Sequence, residues 1–291
     1  MVQSSTFEIE FWGVRGSVST PGESTVRYGG NTSCVEVRVA DTRIIFDGGT
    51  GLRLLGEKML TEDAPIDAHL FFSHSHWDHI QGFPFFRPAF LAQNQFHVYG
   101  GVAPNGANMK QRLSDQMLHP NFPVPMQIMK SKMHFHDIAA GETIAIGNAG
   151  VTVEAGALNH PNTALGYRVN WRGCSMVYAT DTEHFLDRVD ENLVRLCRDA
   201  DVLIYDACYT DEEYSDPKAP KIGWGHSTWQ EALKVGAAAG VKQVVMFHHD
   251  PEHDDNFLDR VEVQVKARHP QSLMARERMV LSLKPQEACV L

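Results

Sequence analysis

Residues 71–86 read FFSHSHWDHIQGFPFF, which places His74, His76, Asp78 and His79 within six positions directly behind an apolar run. Burying polar rings without partners is costly, so such a cluster needs something that holds it together. Imidazole and carboxylate donors suit zinc, manganese or iron, and no cysteine is on offer in this stretch. On a strand, residues two apart face the same way, so His74 and His76 can face one ion. The chain then turns, and Asp78 with His79 offer an oxygen and a nitrogen to a second position. A solvated polar turn is the bland alternative, but three histidines and an aspartate in H-x-H-x-D-H spacing at a strand end outweigh it. Four donors from one turn cannot complete two metal shells, so distant partners are required.

H-x-H-x-D-H behind an apolar strand resembles the metallo-β-lactamase superfamily of metal-dependent hydrolases. The resemblance implies a sandwich of two mixed sheets flanked by helices, with a dinuclear site at one edge. It also implies a further histidine, an acidic residue bridging the metals, and a last histidine behind a late strand. The chain has one of each in that order: His160 in LNHPNTALGYRV, Asp181 in MVYATDTEH and His248 in VVMFHHDPEHDD. By this carry-over His74, His76 and His160 hold one ion, while Asp78, His79 and His248 hold the other. Asp181 bridges. The implied cofactors are two divalent ions, zinc first, with manganese or iron fitting the same donors.

Neighbouring candidates are weighed against these. In FHHD, His248 follows the apolar strand where the resembled ligand falls, and His249 is expected to face the opposite way. His134 and His136 share a strand face without an acid or glycine turn beside them, and read as solvated. His253 either caps the following helix or supports the site. Asp47, ending IIFDGG, is either a turn aspartate or the carboxylate that accepts a ligating histidine's other N–H.

Residues 225–250, GHSTWQEALKVGAAAGVKQVVMFHHD, resemble the phosphodiesterase branch that includes tRNase Z. There a Gly-His-Ser-Thr turn opens a helix leading into the strand that carries the last ligand. Ser227 or Thr228 is a candidate N-cap, and a helix N-terminus favours a phosphate oxyanion, which makes Ser227 a candidate substrate contact. His226 is the candidate proton donor to the leaving oxygen. The N-terminal FWGVRGSVSTPG also resembles this branch, in particular bacterial cyclic-phosphate and cyclic-nucleotide phosphodiesterases, and Arg15 is its candidate phosphate contact. Phe122, in HPNFPVP, is a candidate for stacking on a base.

Two cations about 4 Å apart would lower the pKa of a bound water from 15.7 to about 7 and neutralise charge developing at phosphorus. Asp78 would both ligate and orient the nucleophile. A formal net charge of −10 is a poor start for gripping a polyanion, and no Gly/Pro/basic arm of the tRNA-processing kind stands out. The expected substrate is therefore a small cyclic phosphodiester, a 3′,5′-cyclic nucleotide first, opened to a phosphomonoester, with nucleic acid not expected as a partner. The alternatives are a tRNase Z-like tRNA 3′-processing endonuclease, and a lactam or thioester hydrolase that would leave the Gly-His-Ser-Thr turn unexplained. The resemblance also implies a homodimer in which one subunit covers the other's cleft.

The elements that must position these residues are legible as well. Apolar runs rich in β-branched and aromatic residues read as strands: FEIEFWGV, SCVEVRVA, RIIFDGG, AHLFFSHS, QFHVYG, KMHFHDI, ETIAIG, VTVEAGAL, ALGYRVNW and CSMVYATD, then DVLIYDA and QVVMFHHD. Helical patterns fall at about 190–200, 227–239 and 255–268. The expected fold class is α+β, the metallo-β-lactamase-type αβ/βα four-layer sandwich, as a single domain over 1–291. The irregular stretch at about 104–131 is the candidate lid or insert. Five scattered cysteines (Cys34, Cys174, Cys197, Cys208, Cys289) without C-x-x-C spacing read as reduced thiols, and with no leader or long apolar run the expectation is a cytoplasmic protein away from membranes.

Overall fold

The structure is a computed structural model, and it describes residues 6–62 and 64–285. Among the described residues, fourteen strands form two seven-stranded sheets. The first contains β1 (Phe7–Gly13), β2 (Cys34–Val39), β3 (Thr42–Phe46), β4 (Asp67–Phe72), β5 (Gln95–Gly100) and β6 (Lys132–Asp137). The second contains β7 (Thr143–Ile146), β8 (Val151–Leu158), β9 (Ala164–Trp171), β10 (Cys174–Ala179), β11 (Val202–Asp206), β12 (Gln243–Phe247) and β13 (Leu273–Met274). The last strand, β14 (Val280–Leu283), returns to the first sheet. The sheet orders are β14-β1-β2-β3-β4-β5-β6 and β13-β12-β11-β10-β9-β8-β7.

Both sheets are mixed. β3 to β6 run parallel, as do β10 to β13, while the remaining neighbours are antiparallel. Parallel strands need both faces covered, and their continuous apolar runs supply that. Phe46, Phe71, Tyr167 and Tyr178 meet between the sheets, where the Phe46 and Tyr178 rings stack at 5.2 Å. On the outer face of the first sheet lie α1 (Gly51–Met59) and, beyond α2 (Trp77–Ile80), α3 (Met109–Asp115). On the outer face of the second lie α4 (Glu191–Cys197) and, beyond α5 (Asp211–Tyr214), α6 (Trp229–Ala239) and α7 (Asp255–Arg268). The result is the expected αβ/βα four-layer sandwich. The helix ends follow local chemistry: Thr228 Oγ accepts from the Glu231 N–H at the start of α6, and Gly240, at φ 70°, closes it in the left-handed region.

The 104–131 stretch, the candidate lid or insert, packs Met109, Leu113, Met117, Met126 and Met129 into the core beneath the first sheet. One expectation needs correction. β4 stops at Phe72, so His74 and His76 sit in an extended loop rather than on the strand itself. Cys34, Cys174, Cys197 and Cys208 are buried free thiols, and Cys289 lies outside the described residues. Among the described residues, no helix is long and apolar enough to cross a membrane.

Candidate metal centre

The candidate residues gather where strands end. Asp47 follows β3, His74 lies two residues past β4, His160 two past β8, Asp181 two past β10, Asp206 ends β11, and His248 follows β12. Parallel strands lift their C-terminal ends to one rim of a sheet, where sites in such sheets form. Asp47, Asp181 and His248 all have positive φ, 59°, 53° and 62°. Backbone of this kind costs about 1–3 kcal/mol per residue and persists where the surroundings hold it.

Two donor sets share Asp181, one of His74, His76, His160 and Asp181, the other of Asp78, His79, Asp181 and His248, and a third group of Asp206, His226 and His248 adjoins the second. The two oxygens of Asp181 divide between them. Oδ1 lies 3.7 Å from His74 Nε2 and 3.8 Å from His160 Nε2, while Oδ2 lies 3.1 Å from His79 Nε2 and 3.2 Å from His248 Nε2. In the second set, Asp78 Oδ2 is 3.2 Å from both His79 Nε2 and His248 Nε2, and those two nitrogens are 3.3 Å apart. Donors at about 2.0–2.2 Å around a tetrahedral ion stand roughly this far from one another. His74 Nε2 is buried without a hydrogen-bond partner, as a nitrogen aimed at a cation would be. The residues fit two divalent ions.

Electrostatics agree with that fit. Burial lowers the pKa of His74, His76 and His160 and keeps them neutral, the form that ligates. Burial opposes charge on Asp78 and Asp181, yet the surrounding histidines outweigh it and hold both carboxyls well below their usual range. Burial likewise opposes charge on His79, but Asp181, Asp78 and Asp47 raise its pKa well above the usual value. So much carboxylate around one ring is negative charge that divalent cations neutralise.

A supporting layer fixes the ligands. His79 Nδ1 donates to Asp47 Oδ2 at 2.8 Å, and Asp47 also accepts from the Ser73 backbone N–H, the Ser73 hydroxyl and the Tyr178 hydroxyl, each at 2.8 Å. Asp47 is therefore a supporting carboxylate rather than a simple turn residue. His160 Nδ1 donates to the Gly225 carbonyl at 2.8 Å, and the Ser17 N–H donates to Asp78 Oδ2 at 2.8 Å. Two glycines are forced by close approach: a Cβ at Gly16 would lie 2.3 Å from the His248 ring, and one at Gly225 2.4 Å from His160 Nδ1.

Beside the donors stands His226, whose Nδ1 donates to Asp206 Oδ2 at 2.8 Å. Burial works against its charge, but Asp206 by charge and hydrogen bond, helped by Asp181 and Asp78, lifts its pKa to about 9. His226, Asp78 and Asp181 line an open cleft of about 420 Å³ together with Ser17, Ser75, His76 and Trp77.

The histidine pair in FHHD separates, although His248, at φ 62°, lies past the end of β12. His248 faces the donors, whereas His249 is fully buried and donates through Nε2 to the Ala275 carbonyl at 2.9 Å. Three expected substrate contacts do not reach the cleft. Arg15 is fully buried and donates to the carbonyls of Gly29, Asp250 and His253, so it ties the N-terminal turn to the segment behind His248 instead of meeting phosphate. Ser227 is also fully buried, its hydroxyl paired with His184 Nδ1 at 2.9 Å, and the cap of α6 is Thr228. Phe122 packs edge-on against Phe85 at 5.7 Å and against the core beneath the first sheet, outside the cleft lining.

His253 caps nothing. It pairs with Glu213 at 2.7 Å, and Asp254 caps α7. His136 is half-buried rather than solvated, stacked on Tyr99 at 4.5 Å. Asp206, Ser17 and Trp77 went unread in the sequence. Asp206 did carry a signal, since it ends its strand as Asp47 follows its own.

Residues 42–249 match the family described as Beta-lactamase superfamily domain. A ribonuclease Z from Nostoc sp. is 25% identical over 280 residues, covering 77% of this chain and 80% of the relative. One from Picrophilus torridus is 24% identical over 315 residues, covering 95% and 96%. The solved structure of the short form of human tRNase Z superposes with a TM-score of 0.66 at 18% identity, covering 96% of this chain and all of that one (100%), which is a likeness of fold. With its sandwich, its paired donor sets and a family match over most of its length, the chain belongs to the β-lactamase superfamily of metal-dependent hydrolases.

Proposed function

We propose that this chain is a dinuclear phosphodiesterase whose first candidate substrate is RNA, cleaved in the manner of its ribonuclease Z relatives. The observation that carries the phosphodiester reading is the His226–Asp206 pair: a histidine fixed by a buried carboxylate that raises its pKa, on the same cleft as two metal-donor sets. Two divalent ions bound there, zinc as the first candidate, would polarise a phosphoryl oxygen and supply a water nucleophile at neutral pH. His74, His76 and His160 would hold one ion, Asp78, His79 and His248 the other, with Asp181 shared. Asp78, fixed by the Ser17 N–H, orients the attacking water. As the phosphorus–oxygen bond to the leaving group breaks, His226 passes the proton on Nε2 to the departing oxygen, while Asp206 steadies the ring through Nδ1.

The relatives move RNA ahead of the cyclic nucleotide as the expected substrate, since those aligned over most of the chain are ribonucleases Z. A small cyclic phosphodiester remains the second reading, favoured by the net charge of −10 and by a 104–131 segment that packs on the core instead of projecting as a gripping arm. A homodimer is proposed on family resemblance alone. Assays of precursor tRNA, cAMP and cGMP between 50 and 200 mM salt separate the readings. Accurate 3′ cleavage that weakens steeply with salt supports the RNA reading. Turnover of cyclic nucleotides only, with little salt dependence, overturns it in favour of the small substrate.

A further inference from the structure

We propose that Trp77 is the platform on which a nucleobase of the substrate stacks, and that it thereby sets specificity at this site. The inference rests on the phosphodiesterase reading above and adds what that reading leaves open, namely how the organic part of the diester is recognised. Trp77 sits between two candidate ligands, His76 and Asp78, at the first position of α2. It is 79% exposed, whereas Trp12, Trp171 and Trp229 are 3%, 2% and 1% exposed. The other exposed tryptophan, Trp224, carries the Lys221 ammonium over its ring at 4.6 Å. Among the described residues no ring or hydrogen-bond partner engages the Trp77 indole.

The composition of the cleft makes that exposure informative. Its lining is Ser17, Ser75, His76, Asp78, Asp181 and His226, all polar, with Trp77 as the single large apolar group. A phosphodiester whose phosphate meets the donor sets must lay its substituents within reach of this lining. An indole offers a flat π-face to any base, and single-stranded or small nucleotides have an unstacked base to give it. Because α2 begins at Trp77 itself, and His76, Asp78 and His79 flank it, the backbone that carries the indole is registered to the donor sets.

The test compares two esters with one leaving group, thymidine 5′-(p-nitrophenyl) phosphate and methyl p-nitrophenyl phosphate, in the metal-loaded wild type, Trp77→Ala and Trp77→Phe. The ratio of kcat/KM for the nucleoside ester over the methyl ester is expected to fall roughly 5- to 160-fold in Trp77→Ala, mostly through KM, and to recover largely in Trp77→Phe. Turnover of both esters with an unchanged ratio overturns the role of Trp77 alone. Equal losses on both esters with loss of metal do the same, and assign the side chain to holding the α2 turn. An unchanged ratio with weakened self-association in sedimentation also overturns it, marking Trp77 as a subunit contact. Turnover of neither ester by the wild type overturns the phosphodiesterase reading together with this inference.

Discussion

His226 Nδ1 donates to Asp206 Oδ2 across 2.8 Å, and Asp206 is itself held by the backbone N–H groups of Thr182, Cys208 and Ser227 at 3.3, 3.1 and 3.4 Å. A carboxylate fixed from three sides keeps the imidazole in one orientation with a proton on its far nitrogen.

His226→Ala is expected to retain its metals and to lose about 10²–10⁴-fold in turnover of unactivated esters. The loss should shrink for p-nitrophenyl esters, whose leaving group needs little protonation. An equal defect on both kinds of ester makes His226 a phosphate-binding group rather than a proton donor.

The pH profile carries the same assignment. Because the folded-state pKa of His226 is raised from 6.5 to about 9, its charged form and the stability it brings are fully present below pH 6.5 and fade as pH rises through about 9. Turnover of an unactivated ester should therefore fall above about pH 9. In Asp206→Asn, which removes the largest raising influence, that limb should move to lower pH. A limb that stays in place would separate it from this pair.

Asp47→Ala removes the acceptor of the His79 Nδ1 proton and of three further hydrogen bonds. Outer carboxylates of this kind are worth about 10- to 100-fold in metal affinity, and competition with a chelator should show a loss of that size. Gly225→Ala should act on the other donor set: at φ 86° a Cβ is strained and would lie 2.4 Å from His160 Nδ1. Its metal content should fall while the far-UV spectrum persists.

His249 gives a stability prediction separate from catalysis. Burial first, then the Arg15 charge, lowers its pKa to about 3. Above pH 6.5 folded and unfolded chains both hold it neutral. Below that the unfolded chain takes a proton that the folded chain refuses until about pH 3, so stability is lost progressively across that window. Urea midpoints of metal-free protein should fall with acidification, and less steeply in His249→Gln, which can keep a donor toward the Ala275 carbonyl.

Much of the site could be read in advance because its signals are local. Strand runs and the H-x-H-x-D-H spacing are short-range patterns, and twelve apolar runs fell on strands of the sandwich. The helices at Glu191–Cys197, Trp229–Ala239 and Asp255–Arg268 followed from apolar periodicity and caps in the same way. What failed was orientation across the fold. A glycine-flanked Arg15 looks the same in sequence whether it faces phosphate or three backbone carbonyls, and only the packing of the 250–253 segment against the N-terminal turn decides it. Ser227 is opaque for a related reason: either Ser227 or Thr228 could cap the helix on sequence, and Thr228 does so, leaving the serine hydroxyl to His184. Asp206 and Asp47 act through contacts twenty or more residues away in sequence, which periodicity does not report.

The two donor sets joined through Asp181 should each hold a divalent ion. Elemental analysis of active protein purified without chelator tests it most directly. Close to two divalent ions per chain are expected, with Asp181→Ala losing most of them and His253→Ala, whose ring pairs with Glu213 instead, retaining them. Metal content near zero in a protein that still hydrolyses phosphodiesters would contradict the account.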